Sequence, residues 1–332
     1  MEWLDTDRSR FSFFPFFVFI MGVAIPYAFA HRFENSQPKK KLYLKIVRRT
    51  AILFALGLVL NGFPYFDLHT IRIMGVLQRL ALCYFFSSLI FLNVRTRGQA
   101  YIGTGLLILY WALMKLVPVP GYGAGVLTNT GNLSAYIDNY LLRGHIWLGS
   151  KFWDPEGPLS TIPAITSCII GVLTGEFLRS KKSNYEKIAW MYLGGSVGLV
   201  LGTILDIWFP INKNLWSPPY VVFTSGMGLV FLASCYFIID VKGYKKIGQP
   251  FVVFGMNALA LYFLSEFFAV VIGLVHIAFA RSNVSLQEFI YQTVCASWAG
   301  NLNGSLFFAI LFTFFWYLVM LLFYKKKVFI KI

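Results

Sequence analysis

The residues able to do chemistry are few, and they stand out against an apolar background. Four polar clusters interrupt it: Asp67 to Arg79 (DLHTIRIMGVLQR), Lys151 to Thr161 (KFWDPEGPLST), Asn212 to Ser217 (NKNLWS), and the isolated Asn257 of GMNALALY. Arg79 makes the sharpest demand. It follows Gln78 just inside an apolar run, where an arginine costs several kcal/mol unless it is paired or hydrated. A salt bridge to Asp154, Glu156 or Asp206 would satisfy it. The preferred reading turns it toward a polar cavity to hold an anionic substrate, the default for intramembrane charge.

The other clusters admit two readings each. Asp154-Pro155-Glu156-Gly157 fits a rigid turn with two solvated acids, or a functional carboxylate pair ahead of a helix capped by Ser160 and Thr161, with Pro163 in its first turn. Asn212 to Ser217 fits an interfacial loop with Trp216 as a belt tryptophan, or a set of amides and a lysine for a polar ligand. His69 and His145 read as interfacial histidines, because no Ser/His/Asp spacing accompanies them. Cys83, Cys168, Cys235 and Cys295 show no CxxC or CxxH spacing, so neither a metal site nor a disulfide framework is expected.

The elements that must position these residues are membrane helices. Hydrophobic residues make up 58% of the 332 and charged ones 13%, with a mean hydropathy of +0.66. That much apolar surface needs lipid as its solvent. Apolar segments long enough to span, roughly 17–25 residues, recur at about 11–30, 50–66, 74–92, 100–118, 160–178, 188–209, 220–240, 250–279 and 302–323, predicting an all-α polytopic protein of about nine spans. The eighth is long enough to tilt or to end in an interfacial stretch.

Most of the 29 Lys and Arg residues fall in alternate breaks: Arg32 to Arg49, Arg95 and Arg97, Arg179 to Lys187, Lys242 to Lys246, and Lys325 to Lys331. The positive-inside rule puts those breaks and the C-terminus in the cytoplasm. The same clustering removes the nucleic-acid reading that a net charge of +15 would otherwise invite. All four polar clusters then lie toward the outer face. The long outer loop, 119–158, is the best place for acceptor recognition. The glycine ladders Gly171/Gly175 and Gly194/Gly198/Gly202 predict close packing between the fifth and sixth spans.

With these motifs in view, the chain resembles the heparan-α-glucosaminide N-acetyltransferase family, including its bacterial members. The resemblance is carried, in order, by Phe14 to Gly22, Ile71-Arg72-Ile73-Met74-Gly75-Val76-Leu77-Gln78-Arg79-Leu80, Asp154-Pro155-Glu156-Gly157, Pro210 to Ser217, Asp240-Val241-Lys242-Gly243 and Gly255-Met256-Asn257. It runs from about residue 13 to the end of the chain. It implies a single transmembrane acyltransferase domain over 1–332, moving acetyl from cytoplasmic acetyl-CoA to an amino sugar or other glycan acceptor on the outer face. Asp154, Glu156 and Asn214 are then assigned to the chemistry. Gln78, Arg79, Lys213, Trp216, Ser217 and Asn257 are assigned to holding acetyl-CoA.

No metal or nucleic acid is implied. Membrane lipid is a partner, a homodimer is compatible, and a bacterial inner membrane is the expected location. The resemblance also marks a departure. The family's essential histidine lies just ahead of a Trp-Asn-Gly-like stretch that leads into the FPFF span. Here Met1-Glu2-Trp3-Leu4-Asp5-Thr6-Asp7 stands in that place, so the histidine and the family's first helix would fall at or before Met1. A truncated start is therefore expected, and the chain as it stands would lack its nucleophile or base. A transporter of a glycan or lipid-linked sugar, and a non-catalytic membrane scaffold, are the alternatives.

Overall fold

The computed structural model describes residues 14–34, 39–279 and 282–330. The expectations placed on Met1 to Asp7 lie outside the described residues. The backbone divides into two compact units, Met1–Val241 and Lys242–Ile332.

The first unit is built from eight helices: α1 (Phe14–Glu34), α2 (Lys39–Gly62), α3 (Val76–Asn93), α4 (Thr96–Leu116), α5 (Leu133–Leu141), α6 (Pro158–Leu178), α7 (Asn184–Leu205) and α8 (Pro218–Cys235), the last continued by a π-turn, Tyr236–Val241. At its centre is α6, which packs on α1, α3, α4, α5 and α8. Two-thirds of its apolar window, 67%, is buried, against 22% for α7. On α7 the side chains of Leu193, Val197, Val200, Leu201 and Ile204 face outward. An outward apolar stripe of this kind is what lipid solvates.

Glycines set how closely these helices meet, and their partners differ from those the sequence suggested. A Cβ on Gly171 would fall 2.1 Å from the Phe19 carbonyl oxygen, and one on Gly198 would fall 3.0 Å from Gly226 Cα. The ladder of α6 therefore receives α1, and that of α7 receives α8. The fifth and sixth apolar segments do not use their glycines on each other. Spacing reveals that a helix has a flat face, but not which neighbour will occupy it.

The basic run from Lys39 to Arg49, expected as a loop, forms the first half of α2. Lysine and arginine are good helix formers whose stems can lie along an apolar surface. Tyr110, Met114, Val119, Leu133, Leu159, Phe209 and Leu215 form one buried apolar cluster. It joins the last turns of α4, the start of α5, the start of α6 and the α7–α8 loop. The three polar clusters of this unit, Asp67 to Arg79, Lys151 to Thr161 and Asn212 to Ser217, are anchored at this end of it, opposite the end carrying Arg95, Arg97, Lys181 and Lys182.

In the second unit, α9 (Lys245–Gly255) and α10 (Ala258–Leu274) meet at a 61° bend. The apolar segment 250–279 is thus not one straight span. It breaks at Met256-Asn257 and ends at a hairpin, β1 (His276–Phe279) antiparallel to β2 (Ser282–Ser285), with Ile277 opposite Val284. The unit continues through a short helix, α11 (Leu286–Ile290), and a π-turn, Tyr291–Ala296, to α12 (Ser297–Lys325). A kink at Gly300, where φ is 72°, interrupts the last helix. Asn257 donates to the Val328 carbonyl at 3.0 Å and accepts from the Ile330 N–H at 2.9 Å, pinning the segment after α12.

Among the described residues, five helices are long and apolar enough to cross a membrane, or six if the bent pair counts as one span. The protein is a helical membrane protein with one small hairpin.

Candidate functional site

The segment between α2 and α3 is held in place from both sides. Ile73 N–H donates to the His145 carbonyl at 3.2 Å, and the His145 ring meets the Ile71 carbonyl at 2.8 Å. Asn61 donates to the Arg72 carbonyl at 3.0 Å. These bonds aim Arg72 into the protein, where it meets both acids of the Asp154-Pro155-Glu156-Gly157 turn. Its Nε donates to Asp154 Oδ2 at 2.8 Å, and its Nη2 to Asp154 Oδ1 at 2.6 Å and Glu156 Oε2 at 2.5 Å. The two acids are therefore not solvated: Asp154 is 1% exposed and Glu156 7%. Burial works against the guanidinium charge, but the two carboxylates more than offset it and hold the Arg72 pKa above its ordinary value.

The turn itself follows from its sequence. Asp154 Oδ1 accepts from the Glu156 N–H at 2.9 Å, and the Asp154 carbonyl accepts from the Gly157 N–H at 3.0 Å, a local Asx geometry. Pro158 then opens α6 with Gly157 as its cap residue. The helix thus starts ahead of Ser160 and Thr161, which were expected to cap it. Their hydroxyls instead donate back to the Gly157 carbonyl, at 3.1 and 2.8 Å. This leaves Ser160 Oγ in line with α3, where it accepts from Arg79 Nη2.

Arg79 is fully buried and makes no salt bridge among the described residues. Arg72 has taken the carboxylates that Arg79 was offered in the sequence. The Arg79 guanidinium is held by Ser160, by the Gly157 carbonyl at 3.5 Å, and by the ring of Trp216, 4.9 Å from its centroid. Among the described residues its Nε and Nη1 have no hydrogen-bond partner. The next residue in the chain, Gln78, is also fully buried, and neither of its amide atoms has a partner among the described residues. The amide lies against bare backbone: a Cβ on Gly57 would come 2.4 Å from Gln78 Oε1. Buried donors without partners are costly in a closed protein, so they favour an oxygen-bearing ligand.

Trp216 is 1% exposed, so it is not a belt tryptophan. Asn212 Oδ1 accepts from the Asn214 and Leu215 N–H groups, and the loop turns Trp216 inward at φ 49°. Its indole donates to Ser167 Oγ at 3.1 Å and packs edge-on against Phe14 and Tyr220. Ser217 is used within the same loop, accepting from the Asn212 N–H and donating to the Pro210 carbonyl at 2.7 Å. Lys213 is half-buried at the loop surface. Asn257 lies in the second unit, in the role already described. His69 is exposed, its N–H bonded to Asp67.

Two members of the site were not singled out from the sequence: Arg72 and Asp138. Asp138, on α5, is fully buried. Its Oδ2 accepts from the Asp154 N–H at 3.0 Å, while its Oδ1 has no partner among the described residues. Burial raises its pKa to about 7; the Asp154 N–H bond and the Arg79 charge oppose the rise, and the Asp154 charge adds to it. Both residues left a trace in the sequence. Arg72 stands between Ile71 and Ile73, and Asp138 lies on the face of LSAYIDNYL that buries Ser134 and Ala135. A charge on an apolar stretch is the common signal.

No family model matches the chain. Human and mouse heparan-alpha-glucosaminide N-acetyltransferase are each 28% identical to it over 96% of its length. The alignments take in 53% of the human protein and 54% of the mouse one, so the chain spans about half the length of the curated relatives it matches.

Proposed function

From the premise that a chain alignable over 96% of its length with these enzymes belongs to the heparan-α-glucosaminide N-acetyltransferase family, we propose that it takes part in acetyl transfer across a membrane. The donor is acetyl-CoA, reached from the cytoplasm. The acceptor is an amino sugar or another glycan on the outer face, and the membrane is a bacterial inner membrane. Acyl-CoA cannot cross a bilayer, so the thioester must be presented within the protein to an acceptor arriving from the other side.

The observation that carries this reading is the buried Arg79 guanidinium, whose Nε and Nη1 have no partner among the described residues, close to a buried carboxylate cluster; the Gln78 amide, likewise without a partner among them, faces α2. Fixed donors in a dry site stabilise charge that develops on a carbonyl oxygen far better than water does. The carboxylates Asp154 and Glu156, immobilised by Arg72, suit orientation of an acceptor amine. Asn214 and Lys213, on the loop that delivers Trp216, supply further polar contact to the donor.

Proteoliposomes with labelled acetyl-CoA on one side and glucosamine on the other test this. N-acetylglucosamine and free CoA thiol should appear together. Arg79→Ala and Gln78→Ala should each slow transfer by about 10²–10³-fold, the range for loss of one oxyanion donor. Wild-type rates in both variants would remove these roles. A transporter is the second reading, favoured by the 61° break at Met256-Asn257, since interrupted helices mark transporter binding sites. Glycan uptake without thiol release would select it.

A further inference from the structure

Amide formation from an amine and a thioester must dispose of a proton. The C–N bond forms, the C–S bond breaks, the sulfur leaves as thiolate and is protonated by water, and the nitrogen gives up one proton. A group near the acyl carbonyl has to receive it. Asp154 is poorly placed for that work, because both its oxygens are committed to the Arg72, Trp147 and Glu156 N–H groups, and Glu156 holds Arg72 through Oε2.

Asp138 is differently situated. Among the described residues only Oδ2 is engaged, by the Asp154 N–H, and Oδ1 is buried without a partner. Gly157 makes room for it: a Cβ there would come 2.3 Å from Oδ1. The carbonyl of that same glycine lies 3.5 Å from Arg79 Nη2. The charged and titratable groups facing Asp138 are Arg79 on α3, Tyr110 on α4, and Asp154 on the turn ahead of α6; Arg72 and Glu156 stand behind Asp154. With Asp154 and Glu156 ionised, the cluster of two arginines and three acids is neutral only when Asp138 carries a proton.

We propose that Asp138 is the proton acceptor of the site: Oδ1 takes up, directly or through one water, the proton lost by the acceptor nitrogen, and later releases it to water. The proposal rests on the acyl-transfer reading and deepens it. A carboxyl raised to about 7 by burial suits the task, since a base works best with a pKa near the working pH.

The test uses Asp138→Asn in the full chain, which keeps an acceptor oxygen for the Asp154 N–H but cannot take a proton. Its acetyl-CoA affinity should equal that of wild type, its transfer to glucosamine should fall about 10²-fold or more, and the acid limb near pH 7 should vanish from its pH–rate profile. Wild-type rate with the limb intact would overturn the proposal and leave acyl transfer standing. No transfer by the wild type at any pH would overturn the acyl-transfer reading and this role with it. Should Asp138→Asn not fold, infrared difference spectra of the wild type decide the matter. A protonated-carboxyl band that disappears as pH rises through 7 supports the proposal, and its absence defeats it.

Discussion

Replacing Arg72 by methionine removes three hydrogen bonds and leaves two carboxylates in a site where their side chains are 0% and 10% exposed. Deleting one partner of a buried ion pair typically costs about 3–5 kcal/mol, because the surviving charge keeps its desolvation penalty. The structure places this case toward the lower end. Asp154 keeps the N–H donors of Trp147 and Glu156, at 3.1 and 2.9 Å, so only Glu156 loses its one hydrogen bond among the described residues. We expect about 3 kcal/mol in unfolding titrations of the purified protein in mixed detergent micelles. Adding Glu156→Gln to Arg72→Met should recover part of that loss, since a neutral amide is cheaper to leave without a charged partner. An Arg72→Met protein within about 0.5 kcal/mol of wild type, the spread of inconsequential surface changes, would refute the claim that this pair organises the turn.

Three further outcomes are expected. Asp138 is held near 7 in the folded protein, against about 3.9 when unfolded. The folded state therefore binds the extra proton between those values, and the stabilisation from it is full below about 3.9 and lost as pH rises through 7; Asp138→Asn should flatten that part of the stability–pH curve. Gly171→Leu would drive a side chain into the Phe19 carbonyl of α1, so the variant should fail to elute as a single folded species in size-exclusion chromatography. Asn257→Ala should free the Val328 to Ile330 segment, and limited proteolysis should cut there faster than in wild type.

The polar clusters were legible because a membrane makes polarity conspicuous. Arg79, Gln78, Asp154, Glu156 and Trp216 were all identifiable from their types and apolar surroundings, and the structure brings all but Gln78, whose amide faces Gly57 of α2, together with Arg72 and Asp138. Ser217 and Asn257 belong to the same sequence motifs, but their side chains are bonded within a loop and to the chain's own end. Motif membership alone does not distinguish a side chain facing a site from one closing a turn, because both leave the same residue types at the same spacing.

Hydropathy by itself determined that this is a helical membrane protein and where most of its apolar helices lie, since desolvation cost depends on residue type and segment length. Which arginine pairs with which acid was decided only by the tertiary structure. Arg72 and Arg79 are chemically equivalent in sequence, and both lie within reach of the same turn in any plausible arrangement. The bond between His145 and the Ile71 carbonyl sends Arg72 to Asp154 and Glu156. The cap at Gly157 sends Ser160 to Arg79. Those choices depend on backbone positions more than 70 residues apart in the chain, and no local pattern encodes them.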